Sequence, residues 1–159
     1  EEGFIDFEPG VVYKSNIVLD FRKLSVEDLL ETYRRSHGFV FPTAAEGFGL
    51  SLLEAMATGL PCIVTKYSGV LDFTDETTVA YVGWRPYNET YSSVAGDKAV
   101  LNSALADTGE VIRHMHTIMA QYSSALAMGQ RASRLARTFT WEKTGRHIAN
   151  ILIQQASQL

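Results

Sequence analysis

Short apolar runs alternate with amphipathic segments in the first half of the chain. The runs at residues 17–19, 39–41 and 62–65 have the length of strands, and the segments between them place apolar residues at helical spacing. Strands that alternate with helices are typical of βαβ units in a parallel sheet. The pattern therefore predicts an α/β fold with these runs as its first three strands, and we expect the strand at residues 17–19 to be buried.

Both helices of this region carry signals at their ends. Ser25 can cap the first helix, and Asp28 stands where a capping box usually has Glu or Gln. Pro42 ends the second strand, because a proline has no N–H to donate to a sheet. Gly59, followed two positions later by a proline, stops the second helix, which we predict to begin close to Gly49.

Beyond residue 65 the pattern predicts one more strand and a helical tail. Residues 79–82 form the fourth strand. Residues 85–96, rich in Tyr, Ser and Asn, are a surface excursion to which the pattern assigns no conformation. Thr140 is the expected N-cap of the last helix. The predicted helices of the tail cover residues 98–105, 110–121, 124–138 and 140–155.

These elements make half of a doubly wound parallel sheet followed by a helical tail. Right-handed crossovers bring the loops that follow the strands to the carboxyl edge of such a sheet, and ligands bind at that edge. The loop after the second strand, residues 42–49, is therefore where we expect a site.

The composition fits an ordinary globular domain. Of the 159 residues, 46% are hydrophobic and 20% are charged, which excludes a disordered tail and a collagen-like rod. The net charge is −4 without a long run of one sign, so we expect no nucleic-acid partner. The most apolar window, residues 48–64, is interrupted by Glu54, Gly59 and Pro61, so it predicts no transmembrane helix.

Two further features bear on where the protein works and on how complete the chain is. The single cysteine, Cys62, cannot close an internal disulfide, which fits a reducing compartment and leads us to expect a cytoplasmic protein. The first residues lack an initiator methionine and a basic leader. We therefore expect residues 1–159 to be one incomplete domain of a longer chain.

The loop before the second helix has the residues of an anion site. Gly47 and Gly49 permit unusual dihedral angles and let a ligand approach the backbone closely. The helix then begins with the backbone N–H groups of Gly49, Leu50 and Ser51, which have no partner within the helix, and such an end binds phosphate. The sequence therefore predicts an anion-binding helix N-terminus directly after a strand.

Two carboxylates flank this anion site. Glu46 precedes the helix, and Glu54 lies about one and a half turns inside it. Because a carboxylate only accepts hydrogen bonds, it suits pairs of sugar hydroxyls and repels a phosphate placed against it. The arrangement accommodates a ligand in the order sugar, diphosphate, ribose. A plainer interpretation stays open: Ser51, Glu54 and Thr58 share a polar stripe that could simply face water, and Glu46 could merely complement the helix dipole.

Other kinds of site have less support. Residues 47–49 lack the third glycine of the dinucleotide fingerprint, and no Walker pattern occurs in the sequence. His114 and His116 lie on different faces of a helix and cannot grip one metal. Asp72 and Asp75 do not form the Asp-any-Asp pair that holds a metal with a nucleotide diphosphate. We therefore expect a site without a metal.

Residues 39–64 resemble the Glu, seven residues, Glu signature of the retaining GT-B glycosyltransferases, and of family 4 in particular. Glu46 and Glu54 are the two glutamates of that signature. Looser echoes extend the likeness over most of residues 17–152, although it is weak at residues 85–96. Where the family often has two glycines before an acidic residue, this chain has Ser68, a glycine and then, three positions later, an aspartate. This departure leaves the contact of the turn with the donor open.

The resemblance implies a fold and a role for each site residue. The chain is expected to be the second half of a GT-B architecture, a Rossmann-like domain with a parallel sheet, flanking helices and a helical C-terminal tail, which binds a nucleotide sugar. By position in the signature, Glu46 is the catalytic residue and contacts the transferred sugar, and Glu54 accepts hydrogen bonds from the ribose hydroxyls. The residues implied to bind the donor are Gly47, Phe48, Gly49, Leu50, Ser51 and Glu54.

The resemblance also implies a reaction and partners. The full-length protein is expected to transfer a sugar from a nucleotide diphosphate sugar to an acceptor hydroxyl with retention, without a metal and without a cofactor besides that donor substrate. The acceptor is a glycan, a lipid or a small molecule, and a peripheral association with a membrane surface is compatible with this role. The family carries a basic pair for the diphosphate and an acceptor site in an N-terminal domain. Neither is present in these residues, so the chain alone should not catalyse transfer.

Two other classes of function remain open. The chain could be a non-catalytic module that binds a nucleotide or a sugar phosphate, in which case no second Rossmann-like half precedes it. It could also be a structural interaction domain that uses its helical tail. The latter predicts no nucleotide binding, so titration with UDP, GDP and ADP separates it from the other two.

Overall fold

The computed structural model describes residues 11–14, 16–92 and 98–157. The chain divides into two compact units, Glu1–Arg35 and Ser36–Leu159. No helix within the described ranges is long and apolar enough to cross a lipid bilayer.

The first unit contains a two-stranded hairpin. Strands β1 (Val11–Lys14) and β2 (Ile17–Asp20) pair in antiparallel fashion. The strand predicted at residues 17–19 is therefore present, but its predicted place in a parallel sheet is wrong, because among the described strands it pairs only with β1 and in antiparallel fashion. The expectation that it is buried is also wrong, because Ile17 is 55% and Val18 is 57% exposed. Only two residues connect the strands, and so short a connection joins antiparallel neighbours.

A helix, α1 (Val26–Arg35), follows in the same unit and begins as predicted. The Asp28 N–H donates to the Ser25 hydroxyl oxygen at 3.1 Å, and that hydroxyl donates to the Asp28 carboxylate at 2.9 Å. Acidic residues in the first turn and basic residues in the last turn complement the helix dipole.

The second unit is built on a three-stranded parallel sheet. Strands β3 (Phe39–Phe41), β4 (Cys62–Thr65) and β5 (Ala80–Val82) lie side by side in that order, with Ile63 opposite Ala80. All four residues of β4 are buried. Because successive side chains of a strand point to opposite faces, this burial means that both faces of the sheet are covered at β4. The predicted α/β fold class with a parallel sheet is confirmed.

Helices supply that cover. Helix α2 (Leu50–Ala57) connects β3 to β4, as predicted. Its buried side chains are Leu52, Ala55 and Met56. Helix α3 (Thr108–Ala120) places Ile118 in a core cluster with Ile63 and Val82.

Helix α4 (Tyr122–Ala136) packs against α2 through small residues. A Cβ at Gly129 would clash with the carbonyl group of Gly59, so only a glycine permits this approach. The Ser133 hydroxyl donates to the carbonyl oxygen of Ala57 at 2.9 Å. The C-terminal end of α2 is thereby held against α4.

The last helix, α5 (Trp141–Ala156), begins at the predicted N-cap, since the Lys143 N–H donates to the Thr140 hydroxyl oxygen at 3.3 Å. None of its residues is buried. The helices predicted at residues 110–121, 124–138 and 140–155 are confirmed as α3, α4 and α5, with ends displaced by no more than two residues.

Between β5 and α3 the chain forms a second hairpin. Strands β6 (Trp84–Ser92) and β7 (Lys98–Ala106) pair over their whole length in antiparallel fashion. The helix predicted at residues 98–105 is wrong, because this segment is β7. Most of the predicted excursion at residues 85–96 is β6, and its last part, residues 93–96, lies outside the described residues.

Candidate functional site

The N-terminus of α2 lies beyond the carboxyl end of β3, at the edge of the sheet where α/β proteins bind ligands. Its N-cap residue, Gly49, has φ +97°, in the left-handed region. A Cβ at this position would lie 3.1 Å from Cγ1 of Val70 and 3.5 Å from Cγ of Glu46. Gly49 therefore uses the unusual dihedral angle that a glycine permits, and any other residue there would be strained and crowded against Val70.

Gly47 differs from Gly49. Its φ is not in the left-handed region, so the backbone here does not use the unusual dihedral angles that a glycine permits. Apart from the glycine itself and its two neighbours in the chain, none of the described atoms lies within 4 Å of the place that a Cβ would occupy. Gly47 therefore leaves its backbone accessible without requiring a special conformation.

The first turn of α2 presents backbone to its surroundings. No side chain from the described part of the chain caps this helix. Leu50 is 58% exposed, and Ser51 is exposed as well. The Phe48 ring packs on Phe73, with 4.9 Å between ring centroids, and meets Phe139 at 6.3 Å. These ring contacts hold the backbone of residue 48 in place next to the helix end.

Glu46 and Glu54 lie on either side of this helix end along the chain. Glu46 is half-buried in the loop after β3, and Glu54 is the fifth residue of α2 and exposed. With a rise of roughly 1.5 Å per residue, Glu54 lies about 6 Å along the axis from the start of α2. Ser51, Glu54 and Thr58 form the expected stripe, in which the first two are exposed and the third is half-buried.

The loop that carries Glu46 is held from two sides. The Ser68 hydroxyl donates to the Glu46 carbonyl oxygen at 2.7 Å and accepts from the Glu46 N–H at 3.3 Å. The Gly69 N–H donates to the same carbonyl at 3.1 Å. From β7, the Ala104 N–H donates to the Ala44 carbonyl oxygen at 2.8 Å. Both ends of the short segment before α2 are thus fixed by distant parts of the second unit.

Sequence reasoning singled out the turn that begins at Ser68 but not its contact with Glu46. It also missed Phe73, Phe139 and Ala104, which hold Phe48 and the loop before α2. The sequence around a distant alanine or phenylalanine gives no sign that this residue will contact the loop. For Ser68, the available signal is that this chain has a serine at a position where the family often has a glycine.

Other reactive groups of the second unit are engaged elsewhere. The Lys66 ammonium forms an ion pair with Glu76 at 2.8 Å and lies 5.1 Å from the ring centroid of Tyr81. Nε2 of His114 is 3.0 Å from the Tyr81 carbonyl oxygen. Burial raises the pKa of the Cys62 thiol to about 12, so this thiol is protonated at neutral pH and is a poor nucleophile. Across the described ranges, no three His, Cys, Asp or Glu side chains converge as metal ligands.

Several known proteins are similar to this chain in sequence. A D-inositol 3-phosphate glycosyltransferase from Mycolicibacterium vanbaalenii is 30% identical over 133 residues, which cover 75% of this chain and 30% of that protein. A sucrose synthase from Melioribacter roseus is 59% identical over 34 residues, which cover 21% of this chain and 4% of that protein. The chain thus spans less than a third of the length of either relative.

Among solved structures, a sucrose-phosphate synthase from Thermosynechococcus elongatus shares the fold. The TM-score is 0.65 at 21% identity, and the likeness covers 87% of this chain and 30% of that one. A family model described as Family 4 Glycosyltransferase in conflict systems matches residues 14–148, most of the chain. With its parallel sheet, flanking helices and C-terminal helices, the chain is a GT-B-type domain that belongs to the family 4 glycosyltransferases of conflict systems.

Proposed function

We propose that this domain binds the nucleotide-sugar donor of a retaining glycosyltransferase. The observation that carries the proposal is the N-terminus of α2, which has a glycine N-cap, no capping side chain within the described residues and a glutamate on either side along the chain. A helix end with accessible backbone suits the two negative groups of a diphosphate. The names of the relatives, a glycosyltransferase and two synthases of sucrose or its phosphate, support sugar transfer.

Each part of the site has a role in this proposal. Glu46 accepts hydrogen bonds from hydroxyls of the transferred sugar and is the catalytic residue. The N–H groups of residues 47–51 bind the sugar and the diphosphate. Glu54 accepts from the two ribose hydroxyls, since a carboxylate can accept a pair of hydrogen bonds. In this order no carboxylate lies against the diphosphate.

The reaction exchanges one bond at the anomeric carbon for another. The acceptor hydroxyl oxygen bonds to this carbon while the bond from the carbon to the diphosphate oxygen breaks, and the electron pair of that bond leaves with the nucleoside diphosphate. The acceptor proton passes to the departing phosphate oxygen, and the new bond has the configuration of the old one. Stabilisation of the departing negative charge by the preorganised N–H groups of α2 lowers the barrier. No metal ion takes part in this scheme.

The remaining parts of the enzyme are proposed to lie outside these residues. They are a basic pair that grips the diphosphate and an N-terminal domain that binds the acceptor, which is a glycan, a lipid or a small molecule. The isolated chain is therefore proposed to bind donor without transferring sugar. The protein is proposed to work in the cytoplasm, at a membrane surface when its acceptor is a lipid, and in a conflict system, as its family description says of its members.

Substitution of the two glutamates tests the proposal in the full-length protein. Glu54→Ala should weaken the binding of the matching nucleoside diphosphate by about 1–3 kcal/mol, the usual cost of leaving hydrogen-bonding partners unpaired. Glu46→Ala should lower the rate of donor turnover more than the affinity for free nucleotide, because Glu46 faces the sugar. Calorimetry with UDP, GDP and ADP and the release of nucleoside diphosphate from their sugars measure the two effects.

A matched control is Glu142→Ala, which removes an exposed helical carboxylate from α5. It should leave both quantities unchanged. If Glu54→Ala binds nucleotide as the parent does, Glu54 is not part of the site. Nucleotide binding without any turnover by the full-length parent favours the non-catalytic module, and binding of none of the three nucleotides contradicts a donor site altogether.

A further inference from the structure

We propose that Ser68 is the positioning residue for Glu46, an inference that rests on the proposed function of this site. The Ser68 hydroxyl bridges both backbone polar groups of Glu46: it donates to the carbonyl oxygen at 2.7 Å and accepts from the N–H at 3.3 Å. One side chain thus fixes the peptide units on both sides of the Glu46 Cα. The direction in which the Glu46 side chain leaves the backbone follows from those two planes.

The backbone of Ser68 is strained in the conformation that makes this bridge. Its φ is +68°, and it is the one residue other than glycine in the described ranges with a positive φ. A Cβ is disfavoured in this region, and glycine would adopt it without penalty. Glycine has no hydroxyl, however. The strain is therefore tied to the two hydrogen bonds with Glu46, and strained residues of this kind concentrate at functional sites.

Gly69 packs directly against the backbone of the loop that carries Glu46. A Cβ at Gly69 would clash with the Gly47 carbonyl group, so the turn lies directly against the backbone of residues 46 and 47. The Gly69 N–H adds a hydrogen bond to the Glu46 carbonyl oxygen at 3.1 Å. On the other side, the hydrogen bond from the Ala104 N–H to the Ala44 carbonyl oxygen holds the start of this loop. The Glu46 carbonyl oxygen is thus held by both Ser68 and Gly69, and the Ser68 hydroxyl is the group that also binds the Glu46 N–H.

A positioning role predicts an effect on turnover that is separate from stability. Loss of the bridge keeps the Glu46 carboxylate but removes two hydrogen bonds that hold its backbone, so the carboxylate can shift. A shift of about 1 Å at a catalytic group can lower a rate about 100-fold. Donor affinity in the proposed site depends mainly on the α2 backbone and Glu54, whereas both hydrogen bonds of the Ser68 hydroxyl go to Glu46. The expected signature is therefore a lower kcat with a nearly unchanged KM for the donor.

The test compares Ser68→Gly and Ser68→Ala in the full-length protein, with the release of nucleoside diphosphate from UDP-, GDP- and ADP-sugars as the readout. Both variants lose the hydroxyl, but only the glycine relieves the backbone strain, so Ser68→Gly should unfold at a higher temperature than Ser68→Ala. Both should nevertheless lose kcat by a similar factor of about 10 to 100. Ser133→Ala, which removes a hydroxyl-to-carbonyl bond between α4 and α2, is the control and should keep the parent kcat.

The outcomes separate this inference from the proposed function. If the parent turns over a donor, Glu46→Ala impairs that turnover and both Ser68 variants keep the parent kcat, then Ser68 does not position Glu46 although the site stands. If kcat instead follows the unfolding temperature, with Ser68→Gly active and Ser68→Ala inactive, Ser68 acts only on stability and the inference fails. If Glu46→Ala itself has no effect, the proposed function fails first.

Discussion

Gly47 and Gly49 are separated by a single residue, yet the structure uses them differently. Gly49 is buried, has φ +97° and faces Val70 at a distance that leaves little room for a Cβ. Gly47 is exposed, has an ordinary φ and has open space where its Cβ would be. Sequence alone gives the two glycines the same purpose, whereas the folded backbone makes only Gly49 indispensable for the start of α2.

Alanine substitutions at these two glycines should therefore differ in stability. Gly49→Ala forces a side chain into a left-handed conformation and against Val70, so it should lower the free energy of unfolding by about 1–3 kcal/mol. Gly47→Ala is the matched control and should change it by less than about 0.5 kcal/mol. Urea denaturation of both variants measures the difference. Equal destabilisation by the two substitutions would contradict the distinction drawn from the backbone.

The site residues that lie in one stretch of sequence are the ones that sequence could predict. The glutamates, the glycines and the start of α2 all fall within residues 46–54, where spacing along a helix fixes relative position. Their support comes from Ser68, Phe73 and Ala104, which reach the loop through tertiary contacts. No local propensity records which distant hydroxyl or N–H meets a given carbonyl, so the residues that hold the site were not predictable.

The close packing of α4 on α2 depends on a single glycine in α4, Gly129. Gly129 lies inside α4, where alanine is ordinarily preferred to glycine by about 1 kcal/mol. Its missing side chain lets α4 approach the Gly59 carbonyl, which ends α2. At Gly145, inside α5, none of the described atoms outside the adjoining turns of the helix lies within 4 Å of an added Cβ. The two glycines thus share a helical setting and differ only in what surrounds them.

Opposite effects are expected from the same substitution at these two positions. Gly129→Ala should destabilise the protein by about 1–3 kcal/mol, because the added methyl group pushes the two helices apart. Gly145→Ala should stabilise it by up to about 1 kcal/mol through helix propensity. Thermal unfolding of both variants shows whether each substitution raises or lowers the stability of the protein. A gain in stability for Gly129→Ala would show that the close approach of α4 to Gly59 is not tight.

The hairpin of β6 and β7 shows where periodicity misleads. Residues 98–105 contain Lys, Ala and Leu, which favour a helix locally, and the helix predicted there is wrong. Strand β6 supplies nine residues for pairing, several of them aromatic or β-branched, and β7 completes that ladder. Pairing between strands is a tertiary contact, and it outweighs a weak preference of one segment. The aromatic residues of this segment, Trp84 and Tyr91 among them, were the available sequence signal for a strand.

For the molecule as a whole, the parallel sheet was predictable and the antiparallel hairpins were not. Strands β3, β4 and β5 read as apolar runs joined by long crossovers, and such runs pair in parallel when helices cover both faces. Strand β2 also reads as an apolar run, but the two residues that connect it to β1 impose an antiparallel partner, and β2 is exposed. The length of the connection between strands, which the apolar pattern does not show, determines whether the strands pair in parallel or antiparallel fashion.

Hydrogen–deuterium exchange of the full-length protein tests the donor site at α2 most directly. A diphosphate that accepts hydrogen bonds from the N–H groups of residues 47–51 slows their exchange with solvent. With the UDP-, GDP- or ADP-sugar that binds, we predict slower exchange in peptides covering residues 46–54 and no change in peptides from α5. Binding of a donor that leaves the exchange of residues 46–54 unaltered would contradict the central claim.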